Sequence, residues 1–202
     1  MADQCKYLSK LQGSKVLVLG GSAGVGLAVA EAVIEHGGSV AIASHNPERV
    51  ENALRSLESA YPSTIGTSRV SGFVAKHAPQ YLLKADGQDC SITLSSSVSA
   101  QKPLPGWSPI AAMRSAVLGL GMSLAYDLRP IRVNVIAVGP VDTGLWANHV
   151  RKEKIFDKLK NGKSATGRIA VPSDVAEAYI YCMKDANCTG SVVNTNGGVL
   201  LM

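Results

Sequence analysis

An α/β fold with a mostly parallel sheet is predicted for this chain. Two observations predict it: short strand-forming runs alternate with segments of helical apolar spacing, and a glycine-rich turn joins the first of each. Residues 15–19, Lys-Val-Leu-Val-Leu, read as a short buried strand. Gly20 to Gly26 follow, and residues 27–35 then carry apolar side chains at helical spacing. His36-Gly37-Gly38 stops that helix, and residues 39–44 form a second strand. Pro47 is suited to the first turn of a helix running to about residue 59. Residues 67–75 read as a third strand, 77–85 as a short helix and 91–95 as a fourth strand. A long apolar helix spans 109–128 and is ended by Pro130. Residues 131–138 make the next strand, Ser173 before Asp174 caps a helix to about residue 183, and 191–194 make the last strand. There is no repeat, low-complexity stretch or linker, so residues 1–202 read as one domain.

Composition narrows the function classes. Of 202 residues, 46% are apolar and 17% charged, a globular balance that excludes disorder and collagen-like repeats. The net charge of +5 is concentrated: residues 151–168 hold seven basic and two acidic side chains, and the remainder balances. Phe156 is the one aromatic residue in that stretch, which argues against a nucleic-acid face. Two readings of it stay open: a solvated helix with Ile155, Phe156 and Leu159 turned inward, or a mobile lid over 145–168 that attracts an anionic cofactor or substrate. The longest apolar runs are too short to span a bilayer, and the first ten residues lack a secretory apolar core. Cys5, Cys90, Cys182 and Cys188 have no metal-ligand spacing. A cytoplasmic protein with free thiols, no metal and no membrane contact is expected.

The glycine turn has a mechanical purpose. Gly20 permits the tight turn, Gly24 lets backbone approach a pyrophosphate, and Gly26 lets helix and strand pack closely. The helix that follows turns unpaired N–H groups toward the phosphates, with Ser22 and Val25 in the same loop. Strand–turn–helix context is what the motif requires, so the fold is expected to be Rossmann-like and doubly wound. The end of the second strand selects the dinucleotide. A carboxylate there would hold a ribose hydroxyl and repel a 2′-phosphate; this chain has Ser44, His45 and Asn46, with Arg49 one turn on. All can donate to phosphate oxygens, which favours NADP(H).

With these residues in place, the chain resembles the short-chain dehydrogenase/reductase family. Its Gly-x-x-x-Gly-x-Gly loop matches Gly20, Gly24 and Gly26, with Leu19 where Thr is usual. Ile-Thr-Leu-Ser-Ser-Ser-Val is similar to the strand carrying the family's catalytic Ser, which places that Ser at Ser97. The family's Tyr-x-x-x-Lys motif then falls on Ile110 and Arg114. Arg132 to Thr143 looks like the segment that holds the nicotinamide carboxamide, implying contacts from Val141 and Thr143. Thr189-Gly190 and Asn196-Gly197-Gly198 resemble the closing strand.

Two departures qualify what the resemblance implies. Ile110 cannot donate a proton, and an arginine can bind ribose hydroxyls but does not relay protons, so Ser97 and Arg114 are the catalytic candidates. Secondly, only fifteen residues separate the third and fourth predicted strands, whereas a strand–helix–strand unit needs about 30. One central strand–helix unit is therefore expected to be missing, near residues 74–76. The resemblance implies an NADP(H)-dependent reductase acting on a small-molecule carbonyl, alcohol or iminium, similar to divergent members in fungal secondary-metabolite pathways. The other reading is a degenerate member that binds nucleotide or a partner subunit without turnover. Gly119 and Gly121 on the long helix would permit close approach in a homo-oligomer.

Overall fold

The computed structural model describes residues 7, 9–62, 68–69 and 90–202. The expected helix over 77–85, His77, Cys5 and most of the third strand lie outside the described residues. The chain divides into two compact units, Met1–Val74 and Ala75–Met202.

In the first unit, β1 (Lys15–Leu19), α1 (Gly24–Glu35), β2 (Ser39–Ala43), α2 (Pro47–Ala60) and β3 (Ser68–Arg69) follow in order. The strands pair in parallel as β1-β2-β3. Helix α1 buries Ala28, Val29, Ala30, Val33 and Ile34. Gly37, at φ +79°, ends it by turning its own N–H to the Ile34 carbonyl and that of Gly38 to Val33. The Asn46 side chain caps α2, accepting the Arg49 N–H at 3.0 Å, and Val50, Ala53 and Leu57 form its buried stripe.

In the second unit, β4 (Ser91–Ser97), α3 (Ser108–Asp127), β5 (Arg132–Val138), α4 (Lys152–Lys160), α5 (Pro172–Lys184) and β6 (Val192–Thr195) follow. They give a second parallel sheet, β4-β5-β6. Successive residues of a strand face opposite sides of its sheet. Ser96 hydrogen-bonds the Arg114 carbonyl on α3 at 2.9 Å, while Ser95 meets the Tyr179 hydroxyl on α5 at 2.5 Å. Helices α3 and α5 thus cover opposite faces of this sheet, the doubly wound arrangement. Between them β5 is almost wholly buried, with Val133, Val135, Ile136 and Ala137 at the centre of the core.

Arg132 is buried at the start of β5, where its guanidinium donates to the carbonyls of Cys182, Met183, Asp185 and Cys188. It closes the end of α5, where unpaired carbonyls gather. Buried Asn134 bridges the Cys188 carbonyl and the Ser191 N–H. Cys182 and Cys188 are free, and burial pushes the Cys182 thiol up to about 12, the behaviour of a structural rather than reactive thiol.

Two expectations change. Helix α5 starts at Pro172 with Val171 as its N-cap, not at Ser173. The Asp174 carboxylate accepts the Val171 N–H at 2.9 Å, and Pro at the first helical position sets the boundary. Secondly, α3 is long and apolar enough, by length and composition, to cross a membrane, which no unbroken apolar run had indicated. Its small residues interrupt the runs without lowering the average. Gly121 is its one buried residue, fitted against Val135 of β5.

Candidate active site

The glycine turn leaves the carboxyl end of β1. In the parallel register Leu19 stands beside Ala43, and the Gly20 N–H extends the ladder to the Ala43 carbonyl at 2.7 Å. The turn and the Ser44–Arg49 segment therefore emerge side by side at one rim of the first unit, where ligands of such sheets bind. Gly20 adopts φ +83° and Gly24, the first residue of α1, φ +54°. A Cβ on Gly26 would lie 2.2 Å from the Gly20 carbonyl oxygen, so any side chain there would force the turn open. The N-cap, Ala23, supplies no side-chain acceptor. The first-turn amides of Gly24, Val25 and Gly26 are left facing out, with the positive end of the helix behind them. Half-buried Ser22 completes the loop.

At the end of β2, Ser44 and Asn46 are half-buried, while His45 and Arg49 are exposed. The Asn46 side-chain oxygen is occupied as the α2 cap, which leaves its side-chain nitrogen as the group that can meet a ligand. The Arg49 guanidinium has no ion-pair partner among the described residues. Glu48, its neighbour in the same first turn, is the nearest carboxylate in sequence.

In the second unit, Ser97 closes β4. Its oxygen accepts the N–H and the hydroxyl of Ser99, each at 3.3 Å, leaving its own hydroxyl proton to donate elsewhere. The Nε of Arg114 is buried and has no hydrogen-bond partner. A buried unpaired guanidinium nitrogen is costly unless something else satisfies it, and ribose hydroxyls have the needed chemistry. Ile110 is one helical turn before Arg114, on the same side of α3, and is partly exposed. The buried hydroxyl of Tyr179 is held by Ser95 on the opposite, α5 side; burial raises its pKa. The protein offers no tyrosine proton on the α3 side at the Ile110 position.

Beyond β5, Val141 is buried and bridges to Ala170, so its side chain is turned away from solvent. The Thr143 oxygen accepts the Leu145 N–H at 3.3 Å, and its hydroxyl proton is free to donate. The basic segment folds as the solvated-helix reading expected: Phe156 is buried, while Ile155 and Leu159 are half-buried. Trp146 packs edge-on against both Phe156 and His149, and Lys152 pairs with Asp142 at 2.7 Å.

In the first unit the residues fit the phosphates of a dinucleotide through a backbone cradle that a Cβ would fill; in the second, the Arg114 Nε is buried without a partner, as the Arg132 Nε also is. Sequence reasoning missed Gly21, whose Cβ would clash with Ile42 at 2.7 Å, and Ser96, which ties the Arg114 backbone to β4. Ser96 sits in a run of three serines whose members differ only in which face they take.

The family model for the SDR-like Rossmann domain matches residues 7–72 and 68–202. Its two stretches meet at 68–72, close to where a unit was expected to be missing. The short-chain dehydrogenase/reductase malC of Malbranchea aurantiaca is 33% identical over 271 aligned positions, covering all of both chains. This chain has 202 residues, so about 69 of those positions have no counterpart in it. The short-chain dehydrogenase/reductase fsr5 of Gibberella fujikuroi is 32% identical over 265 positions, again covering both chains fully. Among solved structures, the MalC reductase/Diels-Alderase of Malbranchea aurantiaca superposes with a TM-score of 0.84 at 32% identity, covering 97% of this chain and 100% of the other. With strand–turn–helix, cradle and full-length relatives in agreement, the chain belongs to the short-chain dehydrogenase/reductase family, as a shortened member.

Proposed function

We infer that this protein is an NADP(H)-dependent oxidoreductase acting on a small molecule, in a secondary-metabolite pathway and in the cytoplasm. The observation that carries the reading is the cradle, where Gly26 tolerates no Cβ and the first-turn amides of α1 have no side-chain cap. Gly20, Ser22, Gly24, Val25 and Gly26 would hold the pyrophosphate. Ser44, His45, Asn46 and Arg49 would hold a 2′-phosphate in the absence of a carboxylate at the end of β2. Arg114 would meet ribose hydroxyls through its unpaired Nε, with Val141 backbone and Thr143 hydroxyl toward the carboxamide.

The nicotinamide, when bound, supplies or accepts the hydride. Ser97 donates a hydrogen bond to the substrate atom where negative charge develops or is shed. Arg114 contributes fixed positive charge and holds its proton throughout. Ile110 contributes no proton, which for a ketone forgoes a general acid worth about 10²–10⁴ in rate. An iminium carbon becomes a neutral amine without one, so the side chains present favour C=N reduction over C=O reduction. The second reading, a nucleotide-binding partner subunit without turnover, is favoured by that same isoleucine. On either reading the apolar face of α3 would join copies into a homo-oligomer.

The test is calorimetric titration of NADPH and NADH, followed by NADPH oxidation with a cyclic iminium and with its ketone analogue. NADPH should bind at least about tenfold tighter than NADH, and Arg49→Glu should remove the preference, since hydrogen bonds to charged groups contribute about 1.5–3 kcal/mol. Turnover with the iminium alone supports the enzyme; binding without turnover supports the partner. If neither dinucleotide binds, both readings fail.

A further inference from the structure

A cavity of about 400 Å³ opens at the carboxyl ends of β5 and β6, beside the start of α5, and no step above uses it. Its wall is backbone held close. A Cβ on Gly139 would lie 2.5 Å from the Asn196 Cα, and one on Gly197, at φ +64°, 2.8 Å from the Ser164 oxygen. The Ser164 hydroxyl donates to the Gly197 carbonyl at 3.0 Å, and the Asn196 side chain accepts the Gly198 N–H at 2.9 Å. A wall pinned in this way is formed before any ligand arrives, as small-molecule sites commonly are.

The lining sorts by chemistry. Pro140, Leu159, Ile169 and Val199 supply apolar surface. Three charged side chains reach the cavity: Arg168, Asp174 and Glu177. The two terminal nitrogens of Arg168 each lie 3.0 Å from one oxygen of Asp174, a fork-to-fork pair. That pair is internally neutral, and the guanidinium beside Asp174 holds its carboxyl below the usual carboxylate range. Glu177 follows Asp174 by three residues on the same side of α5, is exposed, and has no hydrogen-bond or ion-pair partner among the described residues. Asn194, also exposed and without a side-chain partner among them, lines the cavity with a further amide acceptor.

The lining therefore carries one uncompensated negative charge beside an apolar wall. We propose that this cavity binds a small organic ammonium ion, its hydrocarbon part against Pro140, Ile169 and Val199 and its nitrogen directed to Glu177 and Asn194. An anion is disfavoured, because Arg168 already has its carboxylate. The proposal stands on the second unit alone and needs no bound nucleotide.

Phenethylammonium, 2-phenylethanol and 3-phenylpropanoate, titrated separately into the full chain without dinucleotide and followed by backbone amide NMR, test it. The ammonium should give saturable shifts at Glu177 and residues 194–198, the alcohol should bind more weakly, and the carboxylate should not bind. Glu177→Gln, at an exposed position that does not threaten folding, should weaken the ammonium about two- to fivefold and leave the alcohol unchanged. Equal binding of ammonium and alcohol, preference for the carboxylate, an unaffected Glu177→Gln variant, or shifts confined elsewhere would each overturn it. Failure here would leave the NADPH titration untouched, so the two proposals fall separately.

Discussion

Strands β1 and β5 are both short, apolar and parallel, yet they sit in different surroundings. β5 is covered on both faces, by α3 and α5, and six of its seven residues are buried. β1 packs against α1, and its alternate residues Lys15, Leu17 and Leu19 are exposed, with Leu19 at 57%. Among the described residues β1 has a strand partner on one side only, β2, and β4 likewise has only β5. A parallel strand ordinarily needs cover on both faces. The contrast teaches that an apolar strand sequence does not secure its own cover: β5 lies between two helices, whereas β1 leaves alternate apolar side chains exposed. Helices α1 and α3 run the other way, with five buried residues in the twelve of α1 and one in the twenty of α3, so each unit pairs a covered element with an uncovered one.

The comparison breaks most sharply at the start of β5. Arg132→Ala should cost about 3–5 kcal/mol in denaturant unfolding, because it strands four carbonyls that the guanidinium now satisfies. A loss under 1 kcal/mol would mean that water replaces it freely. Next in size, Ile136→Ala in β5 should cost about 2–5 kcal/mol through the cavity it leaves. Leu19→Ser in β1 should change stability by less than about 0.5 kcal/mol. If Leu19→Ser instead costs as much as Ile136→Ala, β1 is covered in solution, and light scattering should then show association.

The smallest effect sharpens the account of α5, the helix that covers β5. The Asp174 carboxyl has a lowered pKa because Arg168 and the Val171 N–H favour its charged form. Its contribution is therefore fully present above the unfolded value of about 3.9 and is lost as pH falls through the lower folded value. The pair is partly exposed, so less than about 1 kcal/mol is expected. Unfolding of the wild type and of Asp174→Asn should differ at pH 7 and converge only as pH falls below the lowered folded value; a constant offset would assign the effect to packing.

Much of the architecture was legible from residue order. The bounds of β1 follow from an apolar run ending at glycine, α2 begins at Pro47, and α1 ends at His36-Gly37-Gly38, whereas the Asn46 cap appeared only in the structure. The start of α5 was not, because Ser173 and Pro172 are both good boundary residues and only the Asp174 carboxylate, by taking the Val171 N–H, decides between them. Arg132 and Asn134 belong to a segment that resembles a nicotinamide-binding one, but they are spent on the end of α5 and the segment that follows it, some 50 residues away in sequence. Local pattern carries no record of such a partner.

The amino-acid order by itself determined the alternation of strand and helix, the glycine cradle at Gly20–Gly26 and the loss of the tyrosine position to Ile110. Each follows from local rules: periodicity, backbone freedom, and the presence or absence of a hydroxyl. Only the tertiary structure decided which serine of Ser95–Ser97 faces which helix, that Arg114 keeps an unpaired nitrogen, and that Glu177 stands uncompensated beside a cavity. Those outcomes depend on what is brought opposite each group by distant chain, and a charge or a donor is defined by its partner as much as by its own chemistry.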